Sequence, residues 1–142
     1  MSANCNRVRQ PLRAVELCVG AGGLALGISR AGFSAVTVID VDKQACETLR
    51  KNKDRSTEYV CDWNIIEADI GNVDFSDYSE VEVLSGGPPC QPFSQGGKRA
   101  GRSDQRDMFP HFVRALRECS PKSFIVENVK GLRDISFFNY FC

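Results

Sequence analysis

Several features that would assign this sequence of 142 residues to a broad class are missing from it. Its 18 basic and 18 acidic residues give no net charge, so any binding to nucleic acid must depend on a local cluster of positive side chains. No apolar run approaches the roughly 20 residues of a membrane-spanning helix, and the N-terminal MSANCNRVRQP lacks the apolar core of a signal peptide. We therefore expect a cytoplasmic or nucleoid-associated protein that is not secreted and has no membrane partner.

Recognisable metal-binding and disulfide patterns are absent as well. The seven cysteines are odd in number and irregularly spaced, and no two of them form a C-x-x-C pair, so we expect no metal site. The missing export signal argues against a disulfide framework. Most of the cysteines are therefore expected to act as small apolar side chains. The single histidine, His111, shares a predicted helix with Phe112 and Leu116 and is expected to be structural.

The sequence does contain a regular alternation of apolar runs and amphipathic segments, without repeats or linkers. Five runs predict strands at residues 13–19, 34–40, 63–70, 81–87 and 123–129. Three segments predict helices at residues 23–32, 43–53 and 106–119, the first with Leu24, Ile28 and Ala31 on one face. This alternation predicts a single α/β domain over residues 1–142 with a doubly wound, mostly parallel sheet. Ligands of such sheets bind beyond the carboxyl ends of the strands.

Glycines follow the first predicted strand, and an aspartate ends the second. The stretch ELCVGAGGL includes Gly20 and Gly22, where glycines let backbone approach a ligand and expose a helix N-terminus. Asp40 follows about 20 residues later, where nucleotide-binding folds hold an acid against ribose hydroxyls. The glycine spacing is G-x-G-G rather than the G-x-G-x-x-G of dinucleotide sites. A tight turn explains the glycines alone, but the pair favours a cofactor with adenosine and no pyrophosphate, such as S-adenosyl-L-methionine.

A cysteine and a carboxylate follow the fourth and fifth predicted strands. The stretch GGPPCQPFSQGGK places Cys90 among prolines, which restrict the backbone and hold the thiol in one place. An inert cysteine in a turn explains this stretch equally well by itself. Glu127 and Asn128 end the fifth strand at the same sheet edge, where a carboxyl group can donate or share a proton. The combination favours a catalytic site with Cys90 as nucleophile.

Taken together, these stretches resemble the ordered motifs of the DNA (cytosine-5) methyltransferases. The resemblance runs from about residue 13 to residue 132, and the proline-cysteine loop and the Glu-Asn-Val triplet are its most specific parts. It implies a Rossmann-like fold of the S-adenosylmethionine-dependent methyltransferases. The sequence would form the N-terminal portion of the catalytic domain, and the fold would be truncated.

The resemblance also implies roles for individual residues. Cys90 would add to C6 of cytosine, so that C5 becomes electron-rich enough to accept the methyl group. Glu127 would donate a hydrogen bond from its carboxyl group to the ring N3, and Asn128 would orient the loop.

For the cofactor S-adenosyl-L-methionine, Asp40 would bind the ribose hydroxyls, Val41 would pack on the adenine and Asp69 would accept from the adenine amino group. Asp62 competes for the last role, and Asp69 is preferred because its spacing to Cys90 fits the family. The remaining cofactor contacts would come from Cys18, Gly20, Ala21, Gly22, Gly23, Leu24, Ile70 and Pro89. Cys18 departs from the family, whose members usually carry phenylalanine there.

Double-stranded DNA is the implied substrate, and its target base would be flipped out of the duplex. The stretch SQGGKRAGRSDQR combines glycine hinges with basic residues that suit contacts to phosphates. The substrate-binding residues would be Ser94, Lys98, Arg99 and Arg102, although a solvated basic loop is the alternative. Such contacts cannot select a DNA sequence, because base readout requires contacts in the grooves.

Members of this family continue beyond the motifs found here, with a Gln-x-Arg-x-Arg motif, a target-recognition domain and a C-terminal segment. We therefore expect a truncated frame, a fragment or one part of a split enzyme with a complementary C-terminal polypeptide as partner. We expect little or no activity from the chain alone. Three hypotheses follow: a DNA methyltransferase of a restriction-modification system, an RNA-directed relative, and a non-catalytic fragment that binds the cofactor.

Overall fold

In the computed structural model, which describes residues 10–56, 58–89 and 108–128, strands and helices alternate along the chain. The strands are β1 (Arg13–Leu17), β2 (Ala35–Asp40), β3 (Asn64–Glu67), β4 (Val83–Gly86) and β5 (Ser123–Val126). The helices are α1 (Gly23–Arg30), α2 (Lys43–Asp54) and α3 (Phe109–Cys119). Two short 3-10 turns that the sequence did not predict lie at Val60–Asp62 and Ser76–Tyr78.

The five strands form one sheet in the order β3-β2-β1-β4-β5, and every neighbouring pair is parallel. The strand order runs outward from β1 in both directions, first to β2 and β3 and then to β4 and β5. This arrangement confirms the predicted doubly wound α/β sheet. Its switch point lies between β1 and β4, where the loops after these two strands diverge to opposite faces and leave a crevice for ligands.

Both faces of the sheet are covered by helices, and β1 shows how the sequence achieves this. Successive side chains of a strand point to opposite faces, so Ala14 packs with residues of α1 and α2, whereas Val15 and Leu17 pack with residues of α3. All three are 1% exposed or less. The apolar residues of β1 therefore reflect burial on both sides of the sheet, as parallel strands require.

The predicted inner face of α1 is wrong in part. Ala25, Ile28 and Ser29 are the buried residues of this helix, whereas Ala31 is exposed. Helix α1 ends at Arg30, before Ala31, and Gly32 follows with φ +103°. This left-handed conformation ends helices readily at glycine, so the residues after Arg30 no longer follow the helical period.

Candidate cofactor and catalytic site

The carboxyl ends of β1, β2, β3 and β4 surround a cleft of about 330 Å³. Its volume lies at the lower end of the range for small-molecule sites. The cleft is lined by Cys18, Asp40, Val41, Ala68, Asp69, Ile70, Gly87, Pro89 and Met108. Six of these nine, all except Ala68, Gly87 and Met108, are residues that the sequence predicted as cofactor contacts.

Asp40 is the last residue of β2, and its carboxylate is held by backbone on two sides. Oδ2 accepts from the N–H of Gly20 at 2.8 Å, and Oδ1 accepts from the N–H of Asp42 at 2.8 Å. These bonds fix the carboxylate beside the loop after β1. Each carboxylate oxygen has a second lone pair, so Asp40 retains capacity to accept from hydroxyl groups in the cleft.

Val41 provides an apolar surface next to this carboxylate. Its side chain is 68% exposed although it lines the cleft with the buried Ile70 and with Pro89. An exposed valine among such neighbours offers a surface that a flat, apolar ring can cover.

Asp69 lies in a tight turn just beyond the end of β3. Its Oδ1 accepts from the N–H of Gly71 at 2.7 Å, and its carbonyl oxygen accepts from the N–H of Asn72 at 2.9 Å. The predicted third strand reached residue 70, but β3 ends at Glu67. Asp69 is therefore free of the strand ladder and can present its carboxylate to the cleft.

The competing residue Asp62 lies at the opposite end of the sheet. It precedes β3 and lines two shallow surface pockets at the amino ends of the strands, which are also lined by Arg13, Val36 and Asn64. The geometry thus places Asp69, and not Asp62, beside Asp40.

Cys18 follows β1 and adopts φ +56°, a conformation that non-glycine residues rarely use. Burial, together with the negative charges of Asp40 and Asp69, raises the pKa of its thiol to about 12. The thiol therefore stays protonated at neutral pH and contributes a small apolar surface to the wall of the cleft.

The glycine-rich loop after β1 lies outside the residues that line the cleft. Gly20 orients Asp40 through its N–H, but Gly22 faces the core, where an added Cβ would lie 2.8 Å from Leu49 and 2.9 Å from Trp63. Leu24 packs against the core cluster beneath α1. None of the predicted residues Gly20, Ala21, Gly22, Gly23 and Leu24 lines the cleft.

The ends of β4 and β5 are joined beside the same cleft. Asn128 Nδ2 donates to the carbonyl oxygen of Pro88 at 2.9 Å, and the N–H of Glu127 donates to the carbonyl oxygen of Gly86 at 3.0 Å. Glu127 Oε2 lies only 3.0 Å from where a Cβ on Gly87 would sit. Glycine at position 87 thus lets the exposed Glu127 side chain approach the cleft wall.

The predicted nucleophile Cys90 and the predicted DNA contacts lie outside the described residues, beginning one position after Pro89. The predicted DNA contacts among them are Ser94, Lys98, Arg99 and Arg102. In the part of the chain that is described, no three His, Cys, Asp or Glu side chains are grouped to hold a metal ion. No helix within the same ranges is long and apolar enough to cross a membrane.

Sequence reasoning missed Ala68, Gly87 and Met108 as lining residues. Ala68 and Gly87 adjoin predicted residues, so their position was implicit in the strand ends. Met108 precedes α3, and its N–H donates to the carbonyl oxygen of Pro89 at 3.3 Å. No motif signals Met108, because only the docking of α3 brings it to the cleft.

Comparison with known proteins finds a matching family, similar sequences and a similar fold. The family profile described as C-5 cytosine-specific DNA methylase matches residues 12–141. The chain is 46% identical over 126 residues to the type II methyltransferase M.NgoMIV of Neisseria gonorrhoeae, a match that covers 89% of this chain and 38% of that protein. It is 49% identical over 122 residues to M.PspPI of Psychrobacter sp., covering 84% of this chain and 28% of that protein.

Among solved structures, the glycopeptide N-methyltransferase MtfA in complex with S-adenosyl-L-methionine has the same fold. The TM-score is 0.56 at 14% identity, over 85% of this chain and 48% of that one. The fold is therefore the Rossmann-like fold of the S-adenosylmethionine-dependent methyltransferases, as predicted. The chain spans well under half the length of the two type II methyltransferases. With the profile matching from residue 12 to residue 141, the chain belongs to the C-5 cytosine-specific DNA methylases.

Proposed function

We propose that this chain binds S-adenosyl-L-methionine in the cleft and carries the catalytic cysteine for methylation of C5 of cytosine in DNA, as part of a restriction-modification system. The observation that carries the proposal is the pairing of two carboxylates, Asp40 and Asp69, with apolar Val41 and Ile70 at the carboxyl ends of β2 and β3, in a cleft that extends to the switch point of the sheet. Members of the family depend on this cofactor, and the relatives M.NgoMIV and M.PspPI are type II methyltransferases.

The chemistry of the cleft fits an adenosyl group. Such a group offers two hydroxyl donors on its ribose, an amino donor on its base and a flat ring, and carboxylates act only as acceptors when ionised. Asp40 would accept from the ribose hydroxyls and Asp69 from the amino group, while Val41 would cover the ring. When bound, the cofactor supplies the methyl group. Gly20 would serve the cofactor indirectly, because its N–H orients Asp40.

The residues beside the cleft would act on the base. The Cys90 thiolate would add to C6 of cytosine, which raises the electron density at C5. Glu127 would stabilise the charge that develops on the ring through a hydrogen bond to N3. After C5 is methylated, loss of its proton would expel the thiolate and restore the double bond. Asn128 would hold the backbone at Pro88, two residues before the nucleophile.

The double-stranded DNA substrate would be bound by Ser94, Lys98, Arg99 and Arg102, of which the three basic residues suit contacts to phosphates. Because the matched region is 38% and 28% of the two relatives, the rest of the family's sequence would have to come from a longer form of this chain or from a complementary C-terminal polypeptide. That region would choose the DNA sequence.

Calorimetry with S-adenosyl-L-methionine tests the cofactor site. Asp40→Ala removes acceptors of charge-assisted hydrogen bonds and should weaken binding by about 10- to 100-fold. Asp62→Ala is the matched control, since it removes an exposed carboxylate at the other end of the sheet. Equal affinity of both variants for S-adenosyl-L-methionine would show that Asp40 does not bind the ribose.

A duplex containing 5-fluorocytosine tests the chemistry, because fluorine at C5 cannot leave as a proton does and the covalent adduct persists. The chain, supplied with cofactor and a C-terminal region from a relative such as M.NgoMIV, should form a denaturation-resistant adduct. Cys90→Ala should abolish the adduct, and Cys61→Ala, at an exposed cysteine, should retain it. An adduct with Cys90→Ala would show that another residue is the nucleophile.

A further inference from the structure

Arg114 of α3 binds the loop that follows β3. Its Nη2 donates to the carbonyl oxygens of Ile70 at 2.7 Å, Gly71 at 3.3 Å and Val73 at 3.1 Å, and its Nη1 also reaches Val73 at 3.1 Å. The same Nη1 contacts both carboxylate oxygens of Glu118 at 2.9 Å. One guanidinium group therefore ties three carbonyl groups of the loop backbone to one helix.

The loop needs such a donor. Residues 68–75 belong neither to a strand nor to a helix, so their carbonyl oxygens lack the partners that regular structure provides, and unpaired buried carbonyls are costly. The guanidinium is itself held in place, because it lies 5.0 Å over the ring of Phe75 and is paired with Glu118. It can therefore hold the loop in a single position.

The carbonyls that Arg114 holds belong to the turn that orients Asp69. The N–H of Gly71 donates to Asp69 Oδ1, and the N–H of Asn72 donates to the Asp69 carbonyl oxygen. His111, one turn earlier on α3, packs against the same turn, since its Cε1 lies 3.3 Å from where a Cβ on Gly71 would sit. Helix α3 thus fixes this turn from outside the cleft.

We propose that Arg114 is a positioning residue for the cofactor: it holds the turn at residues 69–73, and through that turn it sets the place of the Asp69 carboxylate in the cleft. Arg114 does not line the cleft, so it acts through Asp69 and Ile70. The inference rests on the proposed function, because it assumes that the adenosyl group binds between Val41 and Asp69.

Hydrogen exchange of the full chain without any ligand tests the first half of the inference. Arg114→Met should speed exchange of the Gly71 and Asn72 amides by about tenfold, because a hydrogen bond to a charged group that restrains the turn is lost. Arg117→Met is the matched control, since Arg117 is exposed on the same helix. Equal exchange in the two variants would overturn the inference whatever the chain binds.

Binding of two product analogues tests the second half. S-adenosyl-L-homocysteine carries the amino group that Asp69 would accept from, and S-inosyl-L-homocysteine carries a carbonyl oxygen there. Arg114→Met should lower the affinity for the adenosyl ligand by about tenfold and the affinity for the inosyl ligand much less, so the preference for the adenosyl ligand becomes smaller. In an Asp69→Ala background the same change should have no further effect. Equal weakening of both ligands would reduce Arg114 to a general structural role.

Two further results separate this inference from the proposed function. If Asp40→Ala loses affinity while Arg114→Met keeps the full adenosyl preference, the cofactor site stands and the positioning role is overturned. If the unsubstituted chain binds neither ligand, both proposals fail. Arg114→Lys keeps the positive charge but loses the planar guanidinium that reaches several carbonyl groups. Its preference for the adenosyl over the inosyl ligand should therefore lie between that of Arg114→Met and that of the unsubstituted chain, and such a value would support the positioning role.

Discussion

Replacing Glu16 by glutamine should change how the stability of this protein depends on pH. Glu16 lies in the middle of β1, is 2% exposed, and accepts a hydrogen bond from Ser85 Oγ at 3.3 Å through its Oε2. Burial raises its pKa from 4.5 to about 7, and the hydrogen bond from Ser85 opposes this in part. The folded protein therefore binds a proton at Glu16 over a range of pH in which the unfolded chain has lost it.

The sign and size follow from linkage between protonation and folding. Below pH 4.5 the carboxyl group is protonated in both states, and above about pH 7 it is ionised in both. Between these values only the folded state holds the proton, so the free energy of unfolding falls as the pH rises. One pKa unit corresponds to about 1.36 kcal/mol, so the total loss at Glu16 is about 3 kcal/mol.

Chemical denaturation of the full chain at a series of pH values between 4 and 8.5 measures this loss. Glutamine keeps the shape and cannot ionise, so the difference in unfolding free energy between Glu16→Gln and the unsubstituted chain should move by about 3 kcal/mol in favour of the variant as the pH rises. Glu58→Gln, at an exposed position, controls for removal of one carboxylate. A difference that stays constant across this range would show that the pKa of Glu16 is the same in the folded and unfolded states.

Three other substitutions test the contacts of β4, of the loop after β1 and of α1. Ser85→Ala removes the hydrogen bond that lowers the pKa of Glu16 and should lower the unfolding free energy by about 1 kcal/mol at pH 8; an unchanged value would mean that the 3.3 Å contact is not a bond. Gly22→Ala adds a Cβ within 3 Å of Leu49 and Trp63 at φ +86° and should destabilise the chain by about 2 kcal/mol or more in thermal unfolding. Gly27→Ala, in α1 with open space around it, should instead stabilise it by about 0.5–1 kcal/mol, and similar melting of the two alanine variants would contradict the packing described for the loop.

Local sequence determined most of the fold. Within the described ranges, the apolar runs place the five strands, and the helical periods place the three helices, within a few residues of their observed bounds. Hydrophobic periodicity is a local signal that packing on both faces reinforces. The ends of the elements were predicted less accurately, because a strand ends where its pairing with the neighbouring strand ends. For example, β3 ends at Glu67, which pairs with Asp40, the last residue of β2.

The sequence also determined which residue types meet at the cleft. Asp40 and Asp69 lie at the ends of predicted strands, and Val41 and Pro89 follow such ends. Carboxyl ends of parallel strands share one edge of the sheet, so the convergence of these residues was implicit in the alternation. Cys90 remains a prediction from its motif, because it lies outside the described residues.

Only the tertiary structure decided which of these residues face the cleft, which face the core and which hold the loop after β3. The resemblance to the family preferred Asp69 over Asp62 by its spacing to Cys90, and the structure places the two residues at opposite ends of the sheet. The glycine motif did not show that Gly22 faces the core, and no pattern marked Arg114 as the donor for the loop after β3. Strand periodicity follows from each residue's neighbours in the chain, whereas these contacts join residues more than 25 positions apart. Their partners are fixed only when helices dock on the sheet.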